Sequence, residues 1–459
     1  MTPLQQLHVS ESLTDNFLLS TIAPSHTRST ARIAEVAREF HLAKSPRTVR
    51  VALAGCGVVG GGLVRLLHES ASSLASRFGV RFVITKVLVR DAARDRKLPI
   101  DSRLFTNDLE AFLAHDADVV IEAVGGDEPA RTIAVTALRR GRKLITANKE
   151  LIAAHGDSLH TLATENLVGL DFGAAVGGSA PVISTLRDLV GASAPQSIRG
   201  ILNGTSNFVI SEVERGVNFD AAVAAARARG LAESDCSRDL DGRDAEAKLS
   251  IVAWIAFGIR PTELRVRTIS LLPDLERLSR FAIRLGARLR LIAECIQLEG
   301  NRVVAAVEPV LVPESSAFAR TSGEENRVEV DLGWTSPLSV SGPGAGGAPT
   351  AAALLSDLVR SSAPPNARGN DVEQFVPAID DRAHSWLIGA GIDSQTLRSI
   401  AVNAGLECRF EATDGDHAWI IIDDASWDRA HSVLETLRSL NAAPCVARCD
   451  LATGREAIQ

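Results

Sequence analysis

Lysine is scarce in this chain, so each one retained is informative. It occurs only at positions 44, 86, 97, 143, 149 and 248, against 49 Lys and Arg together. Arginine stays protonated wherever a surface cation suffices, whereas lysine can release its proton when its surroundings lower its pKa. Lys149 and Lys248 are therefore the residues to examine for proton chemistry, with Lys44, Lys86 and Lys97 read as chance survivors. Lys248 follows Asp244 by four residues, so on a helix the two share a face and can touch. In solvent such a pair carries little weight. Here Glu233, Asp235, Asp239 and Asp241 crowd the preceding loop, which lifts it above a surface ion pair. No histidine lies between Thr161 and Ala383. Acid–base chemistry in that stretch falls to Lys, Asp, Glu or water, and a His–Cys zinc site is not expected there.

The elements that must position these groups follow an α/β pattern. Val49–Ala54 reads as a short buried strand, followed by Gly55-Cys-Gly57-Val58-Val59-Gly60 and an amphipathic helix to about Leu74. Strand, G-x-G-x-x-G and helix together form a dinucleotide turn, in which close backbone approach and a helix N-terminus receive a pyrophosphate. A second strand, about Arg81–Val89, ends at Arg90. An arginine there suits the 2′-phosphate of NADP, the adjacent Asp91 suits the ribose of NAD, and a solvated basic turn with Arg94, Arg96 and Lys97 is the competing reading. A third strand, Asp118–Ala123, runs into Val124-Gly125-Gly126, and Lys149 stands just past a fourth, Lys143–Ala147. Ligands of open α/β sheets bind beyond such strand ends.

Further on, a Gly-rich segment 169–181 opens a helix at Val182, and a strand near Gly200–Leu202 leads through Asn203-Gly204-Thr205 to a helix predicted from Phe208. A second Gly-rich helix start spans 342–350. After a Pro/Ser/Asn-rich linker, Ser361–Gln374, the tail fits β-α-β-β-α-β, a ferredoxin-like order.

With 459 residues, 46% apolar and 23% charged, the chain has the composition of a globular protein of two or three domains. A net charge of −7 gives no basic field for nucleic acid or anionic membrane, and no apolar run approaches a bilayer span. Residues 1–48 are expected to be an N-terminal extension with a short helix at 27–40; its acids argue against a targeting peptide. Six scattered cysteines, Cys445 and Cys449 included, fit ordinary thiols in a reducing, cytoplasmic setting.

The ordered set of motifs resembles the homoserine dehydrogenase family over most of residues 49–360. It comprises the turn at 55–60, A-N-K-E at 147–150, F-G-A-A-V-G-G-S-A-P at 172–181 and I-L-N-G-T-S-N-F at 201–208. G-L-A-E-S-D at 230–235, D-L-D-G-R-D-A-E-A-K at 239–248 and G-P-G-A-G-G-A-P-T at 342–350 complete it. The resemblance implies a Rossmann-type dinucleotide-binding domain (49–172 with 342–362), an α+β substrate and dimerisation domain (173–341) and an ACT-like regulatory domain (375–459). It implies interconversion of aspartate 4-semialdehyde and homoserine with NADP, or NAD, as the cofactor, in a homodimer. Lys248 is matched to the family's general acid/base with Asp244 beside it, and Lys149 to a second essential lysine. Glu233 is matched to the group holding the substrate ammonium, and Asp239, Thr205 and Gly204 to the amino acid site. Gly55, Gly57, Val58, Val59, Gly60, Arg90, Val124, Lys149, Gly344 and Gly346 are assigned to the cofactor.

Three departures stand out. Gly173 replaces a Glu that helps the family hold a monovalent cation such as Na+, leaving only backbone carbonyls at Val176, Gly178 and Ala180. Cys236 stands where the family favours Pro. In the tail, Gly391-Ile392-Asp393-Ser394 replaces the Asp-x-Pro-Gly turn of ACT domains, where an amino acid effector would be expected. Two rivals remain open: a dehydrogenase of another small amino aldehyde, and a non-catalytic nucleotide sensor, which would need no proton donor. A fused kinase is not expected, since the 48 residues before Val49 are too few for a phosphate-transfer domain.

Overall fold

The computed structural model describes residues 46–189, 194–232, 236–272, 274–362 and 375–451. The predicted helix at 27–40 and the acidic residues Glu233 and Asp235 lie outside them.

Six strands form the first sheet: β1 Arg47–Ala54, β2 Val80–Leu88, β3 Phe105–Thr106, β4 Val119–Glu122, β5 Lys143–Thr146 and β6 Leu170–Asp171. All neighbours are parallel, in the order β3-β2-β1-β4-β5-β6. The apolar runs of β1 and β4 are buried because helices cover both faces. One covering helix comes from far along the chain. Gly347–Ser361 buries Ala351, Leu354 and Leu358 in the same core as Leu53 and Leu63. It lies so close to helix Val58–Glu69 that a Cβ on Gly62 would stand 3.1 Å from that of Ala351.

The second sheet has eleven strands. β7 Ser197–Ile201, β8 Val266–Thr268, β9 Ala287–Leu298, β10 Arg302–Pro313, β11 Glu325–Asp331 and β12 Leu338–Pro343 belong to the middle of the chain. β13 Val376–Pro377, β14 His384–Ala390, β15 Cys408–Asp414, β16 His417–Ala425 and β17 Cys445–Cys449 belong to the tail. The main path runs β12-β11-β7-β9-β10-β17-β14-β16-β15, with β8 and β13 also on β10.

The tail has the β-α-β-β-α-β order, its two helices being Ser394–Asn403 and Trp427–Ser439. It is not set apart from the rest. β17 pairs with β10 through Val310–Arg448 and Leu311–Cys449, so one sheet crosses the junction. The tail sheet packs on helix Leu275–Arg284, where Phe281 stacks on Trp419 at 4.5 Å. Arg448, at the β17–β10 junction, is buried between Glu294 (3.2 Å) and Glu308 (2.6 Å). All six cysteines are free, and burial pushes the Cys449 thiol up to about 12. Among the described residues no helix is long and apolar enough to cross a membrane.

Candidate active site

Helix Arg243–Phe257 starts behind Gly242, which is left-handed at φ 91°, and is buried along most of its length. Its first turns carry Asp244 and Lys248 inward, both under 10% exposed. Burying charge is costly unless it is paired. Asp244 Oδ2 meets Lys248 Nζ at 2.7 Å, and its Oδ1 meets Lys149 Nζ at 3.0 Å. The second lysine comes from the other domain. It opens helix Lys149–Glu165 just past β5, with Asn148 as N-cap accepting Leu151 N–H at 3.1 Å. Lys248 also donates to the Leu202 carbonyl at 2.9 Å.

The electrostatics follow from this sharing. Burial opposes ionisation of Asp244, but the two lysines outweigh it and hold its carboxyl below the usual range. Burial also acts against the Lys149 ammonium, and Asp244 outweighs it, so Lys149 is raised. Asp239 is pushed up, by burial first and by Asp244 after it.

Asn203, which the sequence did not single out, ties these groups together. Its Nδ2 donates to Asp239 Oδ1 at 2.8 Å and to Asp244 Oδ2 at 2.7 Å. Its Oδ1 accepts Ser206 N–H at 2.7 Å, so the helix starts at Gly204, four residues before the predicted Phe208. Gly204 is pressed against the Glu324 carbonyl, which a Cβ would approach to 2.7 Å. Thr205, expected to line the amino acid site, donates to the Leu231 carbonyl at 2.7 Å and so anchors the start of the acidic loop. Cys236 is buried and precedes the short helix Ser237–Leu240.

A cavity of about 1220 Å³ opens above the dinucleotide turn, bordered by Gly55, Gly57, Val58, Arg90 and Val124. Gly60 does not border it. It packs the helix against the strand, since a Cβ would stand 2.1 Å from the Gly55 carbonyl. Val59 packs its side chain toward the domain core and lies outside the lining. Five cations (Arg65, Arg90, Arg94, Arg96 and Lys97) face three acids (Asp91, Asp95 and Glu128) around the cavity. Arg96 is pinned by the Asp91 carbonyl at 2.7 Å and lies over the Phe105 ring. Arg65, on the helix, was not legible in the sequence. Lys149, Gly344 and Gly346 lie outside this lining. Gly344 donates to the Glu324 carbonyl at 3.1 Å, and Gly346 precedes helix Gly347–Ser361.

Glu122 was also missed, though an acid closing the apolar strand D-V-V-I-E was a signal. It is fully buried at the end of β4. Its Oε1 accepts Val124 and Gly125 N–H at 2.8 and 3.0 Å, and its Oε2 accepts the Thr146 hydroxyl at 2.5 Å. Thr146 accepts Asn148 N–H at 2.9 Å, and Asn148 Nδ2 donates to the Gly126 carbonyl at 2.7 Å. This chain of bonds locks the loop after β4 to the cap of the Lys149 helix.

A parallel β3-β2-β1-β4-β5-β6 sheet, a glycine turn under a cationic cleft, and two lysines converging on a buried carboxylate define a nicotinamide-nucleotide-dependent oxidoreductase. Comparison with known proteins gives the family. The profile of the homoserine dehydrogenase NAD binding domain matches residues 55–172, and that of homoserine dehydrogenase matches 181–359. Homoserine dehydrogenase of Mycobacterium leprae is 38% identical over 324 residues, covering 69% of this chain and 73% of that protein. The Bacillus subtilis enzyme is 33% identical, with 68% and 72% covered. A crystal structure of a homoserine dehydrogenase from Thiobacillus denitrificans superimposes with a TM-score of 0.78 at 27% identity, over 88% of this chain and 98% of that one. The chain belongs to the homoserine dehydrogenase family and is an oxidoreductase acting on CH–OH.

Proposed function

We propose that the chain reduces L-aspartate 4-semialdehyde to L-homoserine with NADPH, and runs the reverse oxidation, in the synthesis of threonine, methionine and isoleucine. The observation that carries this reading is Asp244 shared between Lys149 and Lys248. The turn at Gly55–Gly60 and the cleft beside Arg90 fit a dinucleotide, and the five cations there favour one bearing a 2′-phosphate over NAD. Bound NADPH supplies the hydride.

The protein's own groups then manage charge and proton. A reduced aldehyde develops negative charge on oxygen, which needs a nearby cation and a proton. Lys248 has two of its three N–H bonds committed to Asp244 and Leu202, which leaves the third to give its proton to the substrate oxygen. Lys149, held protonated by Asp244, steadies the developing charge. Asp239, with Glu233, receives the substrate ammonium. Asn203 bridges Asp239 and Asp244 and holds them in register.

The chain works as a cytoplasmic homodimer paired through the substrate domain, and its ACT-like tail receives an amino acid effector. Light scattering at assay concentration checks the first claim; a monomeric mass contradicts it. Titrating threonine against activity and melting temperature checks the second; no change in either contradicts it.

Oxidation of NADPH and NADH with aspartate 4-semialdehyde tests the central reading, wild type beside Arg90→Ala. Turnover is expected with both, with kcat/KM higher for NADPH by roughly tenfold or more and the gap narrowed in the variant. Nucleotide binding without turnover would favour the sensor reading instead.

A further inference from the structure

Family resemblance places a monovalent cation at loop 173–181, on carbonyls at Val176, Gly178 and Ala180 beside an acid at position 173. The residues present do not fit one. Position 173 is glycine, and the space its side chain would need is filled. A Cβ there would stand 2.6 Å from Oδ1 and 2.9 Å from Oδ2 of Asp357. That carboxylate comes from helix Gly347–Ser361 and is 1% exposed. Its Oδ2 accepts Ala174 N–H at 3.1 Å, and its Oδ1 accepts Arg360 Nη2 at 2.9 Å.

The charge around the loop is already balanced. Asp357 is paired with Arg360, and Asp171 with Arg187 at 2.6 Å. A cavity of about 110 Å³ between loop and helix is bordered by Gly178, Ala180, Asp357 and Arg360. A cation placed there would lie beside a fixed guanidinium, and like charges in a partly buried site repel strongly. The Ala180 carbonyl is engaged by Val182 N–H at 2.8 Å.

We propose that the Asp357–Arg360 pair takes the place of the monovalent cation at loop 173–181, and that this protein binds none there. The pair ties the loop to the helix that packs on Val58–Glu69. Gly178 in turn abuts the Pro343 carbonyl and Gly344, so the same clamp fixes the segment leading to Gly346.

The test uses the full chain in choline chloride, titrated with NaCl or KCl at constant ionic strength, and reads melting temperature and NADPH binding. Wild type should show no change in either. Arg360→Gln, a partly exposed site that should fold, opens the carboxylate to a cation and should gain a Na+-dependent rise of a few degrees. The double variant Gly173→Glu with Asp357→Ala should gain one as well. A Na+-specific rise in wild type would overturn the proposal. So would an Arg360→Gln protein indifferent to Na+, since the guanidinium would then not hold the cation's place.

Discussion

Lys149 and Asp244 stand 3.0 Å apart although one opens a helix of the nucleotide-binding sheet and the other lies on a helix of the substrate domain. The groups proposed to act on the substrate are thus brought together from two parts of the chain, one matched by each family profile. Asp244→Asn leaves both lysines in place and removes the charge that holds them. We expect kcat to fall by about 10²- to 10³-fold. Asp244 raises Lys149 in the wild type, where burial alone would lower it. The basic limb of the pH–rate profile should therefore move to lower pH in the variant. An unmoved limb would remove Lys149 from the account.

Two asparagine and glutamate anchors should act through position rather than contact with substrate. Asn203→Ala frees Asp239 from Asp244 and uncaps helix Gly204–Glu214. A loss of about 1–2 kcal/mol is expected from the cap, with kcat falling further than that loss of stability explains. Glu122→Gln forces a conflict, because with its oxygen kept on Val124 and Gly125 N–H the amide nitrogen faces Thr146, and the Thr146 hydroxyl proton loses its acceptor. Its KM for NADPH should rise more than kcat falls. If both variants lose only melting temperature, these residues are structural and no more.

The tail should prove inseparable from the catalytic body. Glu294 feels the penalty of burial first, yet Arg448 and Arg199 outweigh it and hold its carboxyl down at about 2, against 4.5 unfolded. A depressed carboxyl contributes stability that is full above the unfolded value and is lost as pH falls through the folded one. Acid melting of wild type should therefore steepen between about pH 4.5 and 2, and Glu294→Gln should flatten that window. Arg448→Ala leaves Glu294 and Glu308 buried with fewer partners and should cost about 3–5 kcal/mol. A fragment ending at residue 362 should fail to give a cooperative melt; one that melts like the full chain would contradict this.

Much of the site was legible because its signals are local. The glycine turn, the strand ends at Val124 and Lys149, and the four-residue spacing of Asp244 and Lys248 are read from neighbouring residues, as is the order of elements in the tail. What escaped depends on pairs far apart in the chain. Nothing near Gly173 announces that Asp357 fills its place, and nothing in the tail announces that Arg448 enters a sheet beside Val310. The early start of the helix at Gly204 was missed for a different reason. The Asn203 side chain serves as its cap, while N-G reads locally as a turn.

The central claim is that reduction occurs at the lysines gathered on Asp244, and Lys248→Ala tests it most directly. Turnover of aspartate 4-semialdehyde and NADPH binding should be measured on the same folded preparation. We expect kcat to fall by roughly 10³-fold or more with NADPH affinity unchanged within a few-fold. Near-wild-type turnover in a folded, NADPH-binding variant would contradict it and move the proton donor elsewhere.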